Sequence, residues 1–253
     1  MTVPMRPFFS YYGAKWRIVP LYPAPAYPRV VEPFAGSAAY ATTWHASDVT
    51  LVDADPVICG VWDYLIRVSS DEVRSLPIIA PGESVADVAI PQEARWLVGF
   101  WLNQGTTHPH LTPSKWARDD ESGRAGWSPT TRERIARQVD GIRHWTVIHG
   151  SYQDAPDLEA TYFVDPPYQG PPGRRYRYSD IDYGDLAAWC ESRPGQVIAC
   201  EQSGADWLPF RPLIRAQAGG GRGRSGWSPE VVWVSGDTTR QAVPEQLPLE
   251  VVV

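Results

Sequence analysis

Short apolar runs alternate with stretches of helical spacing along most of the chain, the rhythm of a mainly parallel sheet joined by crossover helices. Arg29–Phe34 reads as a buried strand, followed by a helix of small residues over about Ser37–Ala46. Val49–Asp53 is a second strand. Pro56 then opens a helix in which Val57, Ile58, Val61, Trp62, Leu65 and Ile66 recur at helical spacing. The rhythm breaks from about Ser69 to Gly126, where Pro/Gly-rich segments surround one apolar helix, Gln92–Gln104. A further helix, about Thr130–Trp145, turns Ile135, Val139 and Ile142 inward. Strand patterns return at Trp145–Ile148, Thr161–Val164, Gln196–Cys200 and Val231–Val234, with a helix near Tyr183–Ser192 among them. An α/β fold is predicted, with residues 1–68 and 145–253 forming the sheet unit and residues 69–144 inserted into it.

Composition narrows the class. With 253 residues, 43% hydrophobic and 21% charged, the chain is long and apolar enough for one α/β domain with an insertion, which excludes disorder, collagen and coiled coil. No apolar run approaches the ~18 residues of a membrane span. The N-terminal segment has no signal-peptide core, so a cytoplasmic protein with no membrane partner is expected. Cys59, Cys190 and Cys200 show neither CxxC spacing nor an even disulfide set, which fits a reducing compartment. No metal is expected, since His108 and His110 lie in a proline-rich loop without ligand spacing.

Net charge is −6, which opposes a partner as acidic as DNA, but the charge is unevenly spread. Residues 1–31 hold four basic side chains and no acid, whereas residues 45–95 hold nine acids against three arginines. Basic clusters follow at Arg174, Arg175 and Arg177, and at Arg222 and Arg224 within the basic, glycine-rich loop Gly219–Gly226. Arginine suits bidentate contacts to phosphate and base edges.

Two strand ends carry candidate chemistry. Asp165-Pro166-Pro167-Tyr168 follows an apolar strand, and its prolines cannot donate to a sheet ladder. A stiff turn there presents the Asp165 carboxylate, the Pro166 carbonyl and the Tyr168 ring at a strand's carboxyl end, a set suited to a planar group bearing NH₂. Glu32-Pro33-Phe34-Ala35-Gly36-Ser37 joins strand to helix, and Asp53 stands 17 residues after Gly36 at the end of the next strand. An acid at about that distance is placed to take ribose hydroxyls. Each feature also has a plain structural reading: a proline-rich turn, a strand-end aspartate, core tyrosines, solvated lysine and arginines.

FSYYGAK, EPFAG, LVDAD and DPPY, in that order, resemble the Dam-like DNA N6-adenine methyltransferases that use S-adenosylmethionine. GRRYRYSDIDYGDLAAW, CEQSGADWLPF and PEVVWV are also similar to segments of that family, so that the resemblance spans about residues 8–66 and 145–235. It implies a Rossmann-like methyltransferase sheet with helices on both faces and a mainly helical and loop target-recognition region at 69–144. Tyr11, Lys15, Glu32, Phe34, Gly36, Asp53, Ser151, Tyr152 and Asp165 would then hold the cofactor, with Ser151 and Tyr152 beside its adenine. Asp165, Pro166, Pro167 and Tyr168 would be catalytic, and Arg174, Arg175, Arg177, Arg222 and Arg224 would contact DNA. The setting implied is a prokaryotic or phage-infected cytoplasm, for a solitary enzyme or the modifying half of a restriction-modification system. Ala38 stands where a glycine is expected and Tyr183 where the family often has histidine. The middle region carries only Asn103-Gln104-Gly105 as an echo of the GATC-recognition signature.

Adenine N6 is a poor nucleophile because its lone pair is delocalised into the ring. Acceptance of its two hydrogens by Asp165 and the Pro166 carbonyl would free that pair for in-line attack on the sulfonium methyl, on a base flipped out and stacked on Tyr168. Cytosine N4, RNA or protein-glutamine methylation would use related loops. A catalytically inactive methyltransferase fold that binds DNA or a partner protein is the alternative from another class, and a Rossmann dehydrogenase has no need of the Asp-Pro-Pro-Tyr turn.

Overall fold

Alternation along the buried strands divides their side chains between two cores. Val30, Leu51, Phe163 and Ile198 enter one, while Val31, Val52, Tyr162 and Val197 enter the other. This period-2 exchange is what a sheet covered on both faces requires. The computed structural model describes residues 4–118, 126–213 and 230–235. Its elements in chain order are β1 (Arg29–Glu32), α1 (Ala39–Thr43), β2 (Asp48–Asp53), α2 (Pro56–Arg67), α3 (Ser70–Ser75), α4 (Gln92–Trp101), α5 (Lys115–Arg118), α6 (Pro129–Gln138), β3 (Thr146–His149), β4 (Ala160–Val164), α7 (Tyr183–Ser192), β5 (Gly195–Gln202), β6 (Arg211–Pro212) and β7 (Glu230–Val234).

The strand order is β3-β2-β1-β4-β5-β7-β6. The first five run parallel, and β7 runs antiparallel to both β5 and β6. The chain leaves β1 for β2 and β3 on one side, then returns to β4 on the other, with Val30 opposite Thr161. That reversal leaves a crevice beyond the carboxyl ends of β1 and β4, where open α/β sheets bind ligands. The larger core takes residues of α1, α2, α4 and α6, and α7 covers the opposite face through Leu186 and Cys190.

Several boundaries differ from those the sequence predicts. β1 stops at Glu32, not Phe34, because Pro33 has no N–H for the ladder. α1 is confined to Ala39–Thr43, not Ser37–Ala46, since Gly36 and Ala38 both adopt left-handed backbone, with φ of +43° and +48°. α4 ends at Trp101, not Gln104: the Gly99 carbonyl accepts from both Leu102 N–H (3.2 Å) and His110 N–H (3.0 Å), folding the chain back. The helix expected over Thr130–Trp145 splits into α6 and a 3₁₀ turn, Val139–Ile142. Gly141 lies in that turn, and a Cβ there would run into Met5 Cε. The reversal of β7 and the short β6 carry no mark in the hydrophobic pattern.

The stretch 69–144 packs into the main core, where Val73, Leu97, Phe100 and Ile135 join Phe8, Phe9 and Trp62. It also braces the N-terminal segment: Trp101 Nε1 donates to the Phe8 carbonyl (2.8 Å), Tyr12 N–H to the Thr106 carbonyl (3.1 Å) and Gly105 N–H to Ser10 Oγ (2.9 Å). The three cysteines are buried and unbridged. Among the described residues no helix is long and apolar enough to cross a membrane.

Candidate active site

The turn after β1 is built around a carboxylate. Asp53, at the end of β2, accepts Gly36 N–H at Oδ2 (2.9 Å) and Asp55 N–H at Oδ1 (2.8 Å). Trp62 Nε1 donates to the Gly36 carbonyl (2.8 Å), tying α2 to the same turn. A side chain at Gly36 would need the left-handed region and would approach Tyr11 Cε1 to 3.1 Å. Burial pushes the Asp53 carboxyl up to about 6, against the pull of its two N–H donors. Glu32 is also buried, and its carboxyl is raised well above the ordinary range by desolvation. Its Oε1 accepts Ala41 N–H (2.6 Å), so that it holds α1 in place as well as facing the crevice.

The turn after β4 is held from four directions. Lys15 Nζ, on a buried side chain, lies 3.1 Å from Asp165 Oδ1. Apart from that ammonium, no donor among the described residues meets this buried oxygen. Tyr183 Oη donates to the Pro167 carbonyl (2.5 Å), so it is Pro167 and not Pro166 that this hydroxyl occupies. Gln169 N–H donates to Glu201 Oε2 (2.9 Å), and Tyr168 Oη to Glu230 Oε2 (2.5 Å). Gly173 closes against the Tyr168 backbone, where a Cβ would collide with the Tyr168 carbonyl. Burial raises the Asp165 carboxyl, with the Lys15 charge as the main opposing force. For Lys15, burial alone would lower the pKa, but Asp165 and Glu230 together lift it, so the ammonium stays charged.

Both turns open into one cavity of about 390 Å³. Tyr11, Lys15, Glu32, Phe34, Gly36, Asp53, Ser151, Tyr152 and Asp165 all line it, as do Pro167 and Arg177. The loop from Gly150 contributes Tyr152, whose ring stacks on Phe34 with centroids 5.6 Å apart. Pro166 and Tyr168 sit outside the lining. Lys15 Nζ lies 4.6 Å from the Tyr168 ring centroid. Arg174 and Arg175 are exposed on the short turn Gly173–Arg175, with the Arg175 guanidinium 5.0 Å from the ring of Tyr12, another lining residue. Arg222 and Arg224 lie outside the described residues.

Sequence reading missed Tyr12, Tyr176 and Tyr178 in the lining, and Glu201, Glu230 and Tyr183 as supports of the turn. The tyrosines had a signal in Arg175–Tyr178, where arginine and aromatic residues alternate; Tyr176 Oη donates to the Tyr12 carbonyl (3.1 Å). The acids had none, because they reach the turn from β5 and β7 across strand pairings that only the fold defines.

Chemically, the cavity offers hydrogen-bond acceptors at Asp53 and Asp165, aromatic surface, and the ammonium of Lys15. Among the described residues no three His, Cys, Asp or Glu side chains are grouped as metal ligands. Neither any protein-family model nor any curated protein sequence matches the chain.

Proposed function

We propose that this protein transfers the methyl group of S-adenosylmethionine to the N6 atom of adenine in DNA. The observation that carries the proposal is the common cavity: the Gly36 turn with Asp53 and the Asp165 turn share one space of about 390 Å³, large enough for a cofactor-sized ligand. The fit of the residues to the cofactor supports it. Each Asp53 oxygen holds one backbone N–H and keeps acceptor capacity for a ribose hydroxyl. Phe34, Ser151 and Tyr152 would hold the adenine, while Tyr11 and Lys15 would enclose the cofactor from the N-terminal side. When bound, S-adenosylmethionine supplies a methyl group on a sulfonium.

The protein's own part is to make a poor nucleophile competent. Asp165 and the Pro166 carbonyl would accept the two N6 hydrogens of the target adenine, freeing the lone pair from the ring. The Lys15 charge opposes the burial that raises the Asp165 carboxyl and so favours its ionised form. Tyr168 is fixed at its hydroxyl by Glu230 beside the cavity lining, and its ring would be the stacking surface for a base flipped from the duplex and entering from that side. Arg174, Arg175 and Arg177 surround this end of the molecule with charge for phosphates, and Arg222 and Arg224 belong to the same proposal.

Titration calorimetry with S-adenosylmethionine, followed by label transfer to unmethylated DNA, tests the reading. Saturable binding weakened by Asp53→Ala, with label fixed in DNA, is expected. Saturable binding without label in DNA would replace the enzyme by a binding module on a methyltransferase scaffold.

A further inference from the structure

Glu230 is the one acid of β7 turned toward the Asp165 turn, and both of its oxygens are engaged. Oε2 accepts the Tyr168 hydroxyl (2.5 Å), and Oε1 stands 4.0 Å from Lys15 Nζ. Its side chain is 13% exposed. Lys15 is therefore placed between two carboxylates, at 3.1 Å from Asp165 and 4.0 Å from Glu230, with the Tyr168 ring 4.6 Å away. The groups facing Glu230 are Lys15 and Tyr22 from the N-terminal segment, Asp165 and Tyr168 from the turn after β4, Cys200 and Glu201 from β5, and Tyr176.

We propose that Glu230 is a positioning residue that fixes the Tyr168 ring and, by sharing the charge of Lys15, keeps Asp165 a strong hydrogen-bond acceptor. This rests on the methyltransferase reading for its consequence in turnover, but not for the charge coupling itself. With two carboxylates beside one ammonium, neither is fully neutralised. Lys15 Nζ also donates to the Gly13 carbonyl (3.2 Å); if Glu230 were uncharged, Asp165 would be the one carboxylate left beside that ammonium, which would lower its affinity for protons and weaken it as an acceptor for an N–H donor. Burial and the Asp165 charge both raise the Glu230 carboxyl, while Lys15 and Tyr168 hold it down, as expected of a member of a coupled pair.

The Glu230→Gln variant separates shape from charge, because the amide oxygen can still accept the Tyr168 hydroxyl. Two measurements are made: carboxyl ¹³C NMR titration of Asp165 in the protein without cofactor or DNA, and steady-state methylation. The expected result is an Asp165 titration displaced to lower pH. It accompanies a fall in kcat of roughly tenfold to a hundredfold with little change in KM for the cofactor. An unmoved Asp165 titration in a folded variant would overturn the coupling, and an unchanged kcat would overturn the positioning role. A displaced titration in a protein that methylates nothing would instead leave the coupling standing and discard the methyltransferase reading. Should the variant not fold, the wild-type titration decides: Asp165 and Glu230 must show mutually dependent curves, and two independent single-step curves contradict the proposal.

Discussion

Lys15 Nζ and Asp165 Oδ1 stand 3.1 Å apart and join the loop before β1 to the turn after β4. Both groups are largely withdrawn from water, so the pair holds the candidate catalytic carboxylate in place and sets its charge. Breaking a buried pair by removing one partner leaves the other uncompensated, at a cost of roughly 3 kcal/mol. Lys15→Met is expected to lower unfolding stability by about that amount at neutral pH and to move the acid limb of turnover upward, because Asp165 loses the charge that opposes its protonation. Denaturant unfolding together with a pH–rate profile checks both, and an acid limb that stays in place would contradict the role given to Lys15.

Asp53 gives a second pH dependence with a definite sign. Its carboxyl is raised in the fold to about 6, above the ~4 of an unfolded aspartate. The folded state then holds the proton more tightly, so the contribution is stabilising below about pH 4 and is lost as pH rises through 6. Relative to Asp53→Asn, the wild type is expected to lose up to about 3 kcal/mol between pH 4 and pH 7. Cofactor affinity should run the other way and fall below pH 6, where a protonated Asp53 accepts ribose hydroxyls poorly. Parallel stability curves for the two proteins would refute the shift.

Tyr183 has a hydroxyl whose acceptor is the Pro167 carbonyl at 2.5 Å. Tyr183→Phe removes that donor and is expected to cost about 1 kcal/mol in stability. The Asp165 turn should loosen as well, lowering kcat severalfold while cofactor binding is kept. Thermal unfolding and single-turnover kinetics distinguish this from a surface tyrosine, for which neither quantity would change.

Gly36 cannot be replaced without strain, since its φ is +43° and a Cβ would lie 3.1 Å from Tyr11 Cε1. Gly36→Ala is expected to cost about 1–2 kcal/mol for the left-handed backbone. Because the Gly36 N–H is bonded to Asp53 and the residue lines the cavity, cofactor affinity should fall with it. Calorimetric titration of the variant checks this, with unaltered affinity as the contrary result.

Much of this arrangement is legible in the residues alone. The apolar runs and helical spacings place the five parallel strands within a few residues of their observed ends, because burial on both faces leaves a strong periodic mark. The Gly36 turn, Asp53 and Asp165 are legible because strand ends in such sheets converge at the switch point. What the chain does not display is contact across the sheet. Glu230 and Glu201 come from β7 and β5, and β7 is reversed, which no local pattern encodes. In the sequence Lys15 reads as a solvated lysine or, through the resemblance, as a cofactor-holding residue, whereas its burial depends on a partner far away in sequence. Ala38 occupies a glycine's conformation, with φ +48°, which an alanine in the sequence does not announce.

Arg175 and Arg177 face solvent, close to Tyr12 and Tyr178 of the cavity lining. If they neutralise phosphates, Arg175→Ala and Arg177→Ala should each weaken DNA binding across all sequences and reduce the salt slope by about 1. Affinity measured over a salt series reports this; loss confined to one sequence would identify base contacts instead.

In the proposed reaction Asp165 presents a carboxylate to the amino group of adenine in DNA. Nucleoside mass spectrometry after incubating unmethylated DNA with S-adenosylmethionine and either wild-type protein or Asp165→Asn tests it most directly. The asparagine variant preserves the shape beside Lys15 while removing the negative charge. N6-methyladenine from the wild type alone is the predicted result. A different methylated base, an equal yield from the variant, or no methylated base despite cofactor binding would rule out this role for Asp165.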